Sequence, residues 1–292
     1  MRILVTGSEG QVARSLAERG ANSPHELIFA ARPELDLADA DSIFRTIERV
    51  RPDLVISAAA YTAVDQAEDE SELAMAINGE APGHIGRAAA KVGAGVLHLS
   101  TDYVFDGMGD RAWKETDETA PIGTYGKSKL AGERALAASE VRHATLRTAW
   151  VYSPFGANFV KTMLRLAETR DALNVVADQY GNPTSALDIA DALLLVADRW
   201  NDRLELGTNP VFHFAGTGTT TWADFARAIF AGASELGGPS AEVTGIPASD
   251  YPTKSIRPAN SRLDCTKFEE TFKYASPHWQ DSLVVTLKRL LD

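Results

Sequence analysis

Tyr125 and Lys129 stand four residues apart in Tyr125-Gly126-Lys127-Ser128-Lys129. If this stretch opens a helix, both side chains share one face and Lys127 points elsewhere. A phenol titrates near pH ~10 and works as a proton donor at neutral pH only where a neighbouring ammonium stabilises its anion. The pair therefore has the makings of an acid and its supporting cation. Ser100-Thr101-Asp102-Tyr103 adds a hydroxyl, Thr101, that could hydrogen-bond the carbonyl oxygen Tyr125 protonates. Blander readings of the same residues are a surface Tyr packed on a Lys stem and a strand-end capping hydroxyl.

Such a site needs an electron donor, and the N-terminus offers a place for one. Thr6-Gly7-Ser8-Glu9-Gly10-Gln11-Val12-Ala13 follows the first expected strand and opens the first expected helix, with the spacing G-x-x-G-x-x-A. Glycines there permit a tight turn and close approach to a pyrophosphate, while the free amides and dipole of the helix attract the anion. Gly7, Ser8, Glu9, Gly10, Gln11 and Val12 are the candidate contacts. The second strand ends Phe29-Ala30-Ala31-Arg32. No acid stands at its tip to grip a ribose hydroxyl, and Arg32 is placed to pair with a 2′-phosphate. NADPH is the expected cofactor, with NADH possible.

The elements that must carry these residues alternate. Apolar runs at 2–6, 26–30, 53–58, 95–100 and 144–150 predict buried strands, separated by amphipathic helices. One helix, capped by Asp41, carries Ile43, Phe44, Ile47 and Val50 and is stopped by Arg51-Pro52. The pattern predicts an α/β fold: a doubly wound parallel sheet (Rossmann-like) with a smaller, discontinuous α/β substrate-binding domain. Residues 1–150 plus roughly 184–216 form the expected dinucleotide-binding domain. Roughly 151–183 plus 217–292 form the other.

Composition excludes other classes. The 292 residues are 45% hydrophobic and 24% charged, ordinary for a globular chain, and the formal net charge of -11 disfavours nucleic acid as a partner. The single Cys265 excludes an internal disulfide and reads as inert packing. The six histidines show no metal-ligand spacing, so no metal site is expected. No G-x-S-x-G elbow is present, and Asp65 with Asp102 reads more simply as sugar-binding than as a glycosidase pair. Hydride transfer is the class left standing. A first strand starting so close to Met1 leaves no room for a signal peptide and no apolar run would span a bilayer, so a cytoplasmic location without membrane contact is expected.

Together these segments resemble the extended short-chain dehydrogenase/reductase superfamily and, within it, the dTDP-4-dehydrorhamnose reductase family. The resemblance includes Ala58-Ala59-Ala60-Tyr61-Thr62-Ala63-Val64-Asp65, and the narrower likeness rests on Asp178-Gln179-Tyr180-Gly181-Asn182-Pro183-Thr184 and Arg257-Pro258-Ala259-Asn260-Ser261-Arg262-Leu263. The resemblance implies reduction of the C4 keto group of dTDP-4-dehydro-L-rhamnose (dTDP-6-deoxy-L-lyxo-4-hexulose) to dTDP-L-rhamnose, a precursor of surface polysaccharide. It implies that Tyr125 donates the proton, that Lys129 binds the nicotinamide ribose and lowers the Tyr125 pKa, and that Thr101 orients the carbonyl. Trp150 would shape the sugar pocket with Thr62, Val64, Asp102 and Tyr103. Asp36 and Leu37 would flank adenine, Ala58, Ala59 and Ala60 would line the cofactor's path, and Arg257 and Asn260 would close over the nucleotide-sugar.

In some relatives a dimer forms around Mg²⁺ held by carboxylates where this chain has Ser15 and Leu187, neither a comparable ligand. A monomer or a metal-free weak dimer is expected instead. Two alternatives stay open on sequence: a 4-ketoreductase forming dTDP-6-deoxy-L-talose, and a non-catalytic NADP-binding regulatory subunit.

Overall fold

Short β-branched runs bounded by turns pair into six parallel strands in the computed structural model, which describes residues 1–201 and 210–292. They are β1 (Arg2–Thr6), β2 (Glu26–Ala30), β3 (Leu54–Ser57), β4 (Gly95–Thr101), β5 (His143–Thr148) and β6 (Val211–His213), in the spatial order β6-β5-β4-β3-β1-β2. Alternate side chains enter opposite layers. Ile3, Val5 and Ile56 pack with Leu16 of α1 (Gln11–Arg19), while Leu4 and Val55 pack with Ile43 and Ile47 of α2 (Ala40–Val50) and Ile85 of α3 (Ala81–Val92). The sheet is doubly wound, as expected. From β1 the chain runs outward to β2, then returns to the other side of β1 as β3, and that reversal opens the crevice where such sheets bind ligands.

Local details depart from the sequence reading. Asp39, not Asp41, caps α2, because the Asp39 carboxylate accepts the Asp41 amide at 2.9 Å. The strand expected at 144–150 ends at Thr148. Trp150 lies beyond it at φ 47°, an unusual conformation for a bulky residue, where the chain bends to pair Val151–Tyr152 with Thr184–Ser185.

α4 (Thr124–Ala137) packs against β4 and β5, and α6 (Ala186–Asn201) packs against α1. Part of the segment expected at 184–216, residues 202–209, lies outside the described residues. A second core gathers Tyr152, Val160 of α5 (Phe159–Ala167), Phe225 and Ile229 of α7 (Trp222–Glu235), and Leu283 of α9 (Trp279–Leu291). Phe268 and Phe272 of α8 (Thr266–Phe272) instead join the sheet's own core beside Phe212 and Phe214, so the 217–292 segment serves both lobes. The Gln11 side chain bridges the lobes, its Oε1 accepting from Ser153 Oγ at 2.8 Å and Asn158 Nδ2 at 3.1 Å. Among the described residues no helix is long and apolar enough to cross a membrane.

One buried ion pair fixes α4 to the sheet. Arg147 on β5 donates from Nε and Nη2 to the two Glu133 carboxylate oxygens at 2.9 and 2.7 Å, and both side chains are buried. Removing one partner strands a buried charge. Glu133→Ala is expected to lose about 3–5 kcal/mol of stability in urea unfolding.

Candidate active site

α4 begins at Thr124, so Tyr125 and Lys129 do occupy successive turns of one helix face. Lys129 is buried and its ammonium donates to the Leu99 carbonyl of β4 at 2.6 Å. Burial pulls its pKa down to about 8, and Glu133 offsets part of that fall. Thr101 ends β4 and is buried. Its hydroxyl donates to Asp102 Oδ1 at 3.1 Å and accepts from the Tyr103 amide at 3.2 Å. Burial raises Asp102 to about 6, against hydrogen bonds from Ser261 and Thr101 that lower it.

Burial also raises the Tyr125 pKa, with the Asp102 and Tyr103 charges adding to the rise and a Thr101 hydrogen bond opposing it. Burial is the largest of these influences, and the Lys129 ammonium donates to the Leu99 carbonyl. The phenol stays protonated over the working range, which is the form a proton donor requires.

Two glycines of α4 allow close backbone approach to the turn after β4 and to the π-helical turn Met75–Glu80. A Cβ on Gly126 would lie 2.1 Å from the Tyr103 carbonyl oxygen, and one on Gly132 would lie 2.0 Å from that of Asn78. Asn78, buried in the π-helical turn Met75–Glu80, is a residue the sequence reading missed. Its Oδ1 accepts the Tyr61 amide at 2.8 Å, while its Nδ2 donates to the Tyr61 carbonyl at 3.0 Å and Ser128 Oγ at 3.1 Å. It thereby fastens the loop after β3 to the helix of Tyr125 and Lys129. π-turns often mark functional positions, but no local pattern announces this one.

At the cofactor end, Gly7 sits at φ 86° and its amide donates to the Ala30 carbonyl at 2.6 Å. A Cβ there would meet Ala59 Cβ at 3.2 Å, while one on Gly10 would meet nothing within 4 Å. Gly10 caps α1 without a side-chain bond, leaving that N-terminus open to an anion. Thr6 Oγ1 accepts the amides of Ala58 and Ala59, each at 3.0 Å, so the Ala58 to Ala60 run lies beside the glycine turn. Ser8, Gln11 and Val12 are half-buried and Glu9 is exposed. Arg32 is exposed beyond β2 and makes no hydrogen bond or ion pair among the described residues. Asp36 Oδ1 accepts the Ala38 amide at 2.9 Å, and Leu37 is half-buried against the α2 core.

At the other end, the Tyr103 ring meets Tyr125 edge to face at 5.5 Å. Arg257 donates from Nη1 to the Tyr103 hydroxyl at 3.3 Å and from Nη2 to Asp65 Oδ2 at 2.6 Å. Thr62 is exposed and Val64 half-buried on the same loop as Asp65. Trp150 stacks on Trp222 at 3.5 Å and covers Gly181, where a Cβ would fall 2.4 Å from the indole. Trp222, absent from the sequence reading, thus sets the Trp150 ring plane. Asn260 is buried with its side chain spent on the protein: Nδ2 donates to the Arg111 carbonyl at 2.7 Å and Oδ1 accepts from Arg262 Nε at 2.8 Å. It shapes the turn after Arg257 rather than facing the cleft with a free amide. Cys265 is likewise enclosed, its thiol pushed up to about 12 by burial.

The family described as RmlD substrate binding domain matches residues 1–291. A dTDP-4-dehydrorhamnose reductase from Sinorhizobium fredii is 46% identical over 97% of this chain and 95% of its own length. The chain belongs to the dTDP-4-dehydrorhamnose reductase family. A family structure from Clostridium acetobutylicum superposes with a TM-score of 0.92 at 36% identity, covering 99% of both chains. Another, from Bacillus anthracis and in complex with NADP, gives 0.90 at 31% identity over 98% of both.

Gly126 offers a direct test of the close approach within this family site. Gly126→Ala must push α4 off the Tyr103 carbonyl. It is expected to cost about 1–3 kcal/mol in chemical unfolding and to depress turnover out of proportion to cofactor binding, read by steady-state kinetics and NADPH fluorescence.

Proposed function

We propose that this chain reduces the C4 keto group of dTDP-4-dehydro-L-rhamnose to give dTDP-L-rhamnose, with NADPH as reductant. The observation that carries this reading is the grouping of Thr101, Tyr125 and Lys129 around the end of β4, on the same carboxyl edge of the parallel sheet as the glycine turn, in a chain of this family. The turn Gly7 to Val12 would hold the pyrophosphate, Ala58 to Ala60 would line the path, and Lys129 would hold the nicotinamide ribose. Unpaired Arg32 favours the 2′-phosphate of NADPH over NADH. NADPH, when bound, supplies the hydride.

The residues of the chain do the rest. Thr101 rotates its one hydroxyl proton from Asp102 toward the substrate oxygen and fixes the carbonyl. As C4 gains the hydride, the C4–O double bond opens and its oxygen takes the Tyr125 proton. The resulting phenolate is stabilised by charged Lys129 and regains a proton from solvent. Arg257, held by Asp65 and Tyr103, supplies the local cation that a diphosphate needs in an acidic protein. Trp150, Val64 and Thr62 would shape the sugar pocket. A purely regulatory role is not favoured in a chain that retains Tyr125 and Lys129. A talose product, the other alternative, would differ only in the sugar face presented.

Ser15 and Leu187, the positions that raise the question of a metal-bridged dimer, are both buried within the chain. A monomer or metal-free weak dimer, working in the cytoplasm, is the matching proposal.

Incubation with the 4-keto sugar should consume absorbance at 340 nm and yield dTDP-L-rhamnose by NMR; a talose product or no turnover would sink the proposal. Tyr125→Phe is expected to lower kcat by at least about 10²-fold with NADPH affinity intact.

Lys129 sets the alkaline limb. Its pKa is depressed to about 8, so the supporting charge is present below that pH and lost above it. The pH profile of kcat/KM, which reports the free enzyme, is expected to fall through about pH 8, while Tyr125, raised by burial, contributes no limb there.

A further inference from the structure

α4 carries the proton donor on its first turn, yet it has no cap of its own. Gly123 at the N-cap makes no side-chain bond, and the first turn has no acidic residue. The missing cap comes from 56 positions away. Glu68, on the short turn Gln66–Glu68, accepts the Thr124 amide on Oε1 at 3.0 Å and the Thr124 hydroxyl on Oε2 at 2.6 Å. The glycine at 123 makes room for it, since a Cβ there would lie 3.1 Å from Glu68 Oε1 and 2.8 Å from Ser255 Oγ.

The same carboxylate also holds the segment on the opposite side of the cleft. Glu68 Oε1 accepts a second hydrogen bond, from Ser255 Oγ at 3.0 Å. Ser255 is buried, its amide donates to Asp65 Oδ1 at 3.0 Å, and it stands two residues before Arg257. Lys254 pairs with Asp69 on the same acidic turn. Asp65, Glu68 and Asp69 thus fasten residues 254–257, and of the three only Glu68 also touches the catalytic helix. These bonds hold its carboxyl below the usual range, so it is ionised at working pH.

We propose that Glu68 is a positioning residue: it couples the Arg257 segment, which faces the substrate's diphosphate, to Thr124 and hence to the adjacent Tyr125. Thr124 and Ser255 share one carboxylate oxygen, so a shift of either reorients the acceptor of the other. The placement of the proton donor then depends on the state of a segment that contributes no atom to the chemistry. The inference rests on the ketoreductase reading above.

The test uses the whole chain with NADPH and the 4-keto sugar. Glu68→Ala is expected to lower kcat by about 10- to 100-fold, the scale of a misplacement near 1 Å. It should enlarge the solvent deuterium isotope effect on kcat as proton transfer becomes more limiting, and leave NADPH affinity unchanged. Glu68→Gln keeps an acceptor for Thr124 and Ser255 and should recover most of the lost rate, which also separates the effect from misfolding. Ser255→Ala should lower kcat in the wild-type background but have little further effect beside Glu68→Ala. Unchanged kcat and isotope effect in Glu68→Ala, or Ser255→Ala factors equal in both backgrounds, would overturn the coupling. Wild-type turnover is read in the same assay, and its absence would instead overturn the ketoreductase reading.

Discussion

A charged amine buried between α4 and β4 is the constraint on which the cleft depends. Among the described residues the Lys129 ammonium hydrogen-bonds the Leu99 carbonyl at 2.6 Å, a bond that forms only where the helix lies hard against the strand. A lysine whose folded pKa is about 8 against 10.5 costs folding roughly 3 kcal/mol at neutral pH, a cost that fades as pH rises between those values. That cost is what remains after a partial offset from nearby. Glu133 lies one turn further along α4, where its charge favours the ammonium, while its bond to Arg147 ties the helix to β5. His98, beneath on β4, is held neutral by burial and by Lys129 itself, so it adds no competing positive charge. In the proposed mechanism this buried cation would stabilise the developing phenolate more than a solvated lysine could.

The close approach of α4 to the turns packed against it explains features that serve no chemistry directly. Gly126 and Gly132 admit the Tyr103 and Asn78 carbonyls, and the Asn78 side chain then ties α4 to the loop after β3. That loop is continuous: Ala59 packs on Gly7 at the cofactor end, and Asp65 binds Arg257 at the other. One short segment, residues 59–65, therefore runs from the glycine turn to Arg257 and is keyed to the helix carrying Tyr125. Distances between reacting groups are set by this frame, in which glycines allow contact and buried polar side chains fix register.

What was legible in the sequence was what is local. The glycine turn, the Tyr125 and Lys129 spacing and the alternation of strand with helix each lie within a few residues, and the structure reproduces them. Asp39 displaced Asp41 as cap because two acids stood within one turn of the helix start and backbone geometry chose between them. Trp150 read as a strand residue because apolarity does not reveal that the chain must bend there to meet Thr184. Asn78, Trp222 and Glu68 act across 50, 72 and 56 positions respectively, beyond any periodic signal. The one local hint was negative: a glycine ahead of Thr124 leaves a functional helix without a cap of its own. Asn260 shows the opposite error, since a motif residue read as facing ligand spends its amide on the protein.

An enzyme with a net charge of -11 must still attract a substrate carrying a diphosphate. Overall charge acts at long range and is screened beyond about 10 Å, whereas a guanidinium at the mouth acts within that distance. Arg257 is kept there by Asp65 and Tyr103, and its ion pair is partly open to solvent. An exposed pair of this kind contributes little net stability, so exchanging a carboxylate for a phosphate oxygen as partner of the same guanidinium costs little. Asp65 in this sense orients Arg257 without sequestering it. In the proposed reading the acidic turn that would repel the substrate on charge alone holds the cation that would receive it.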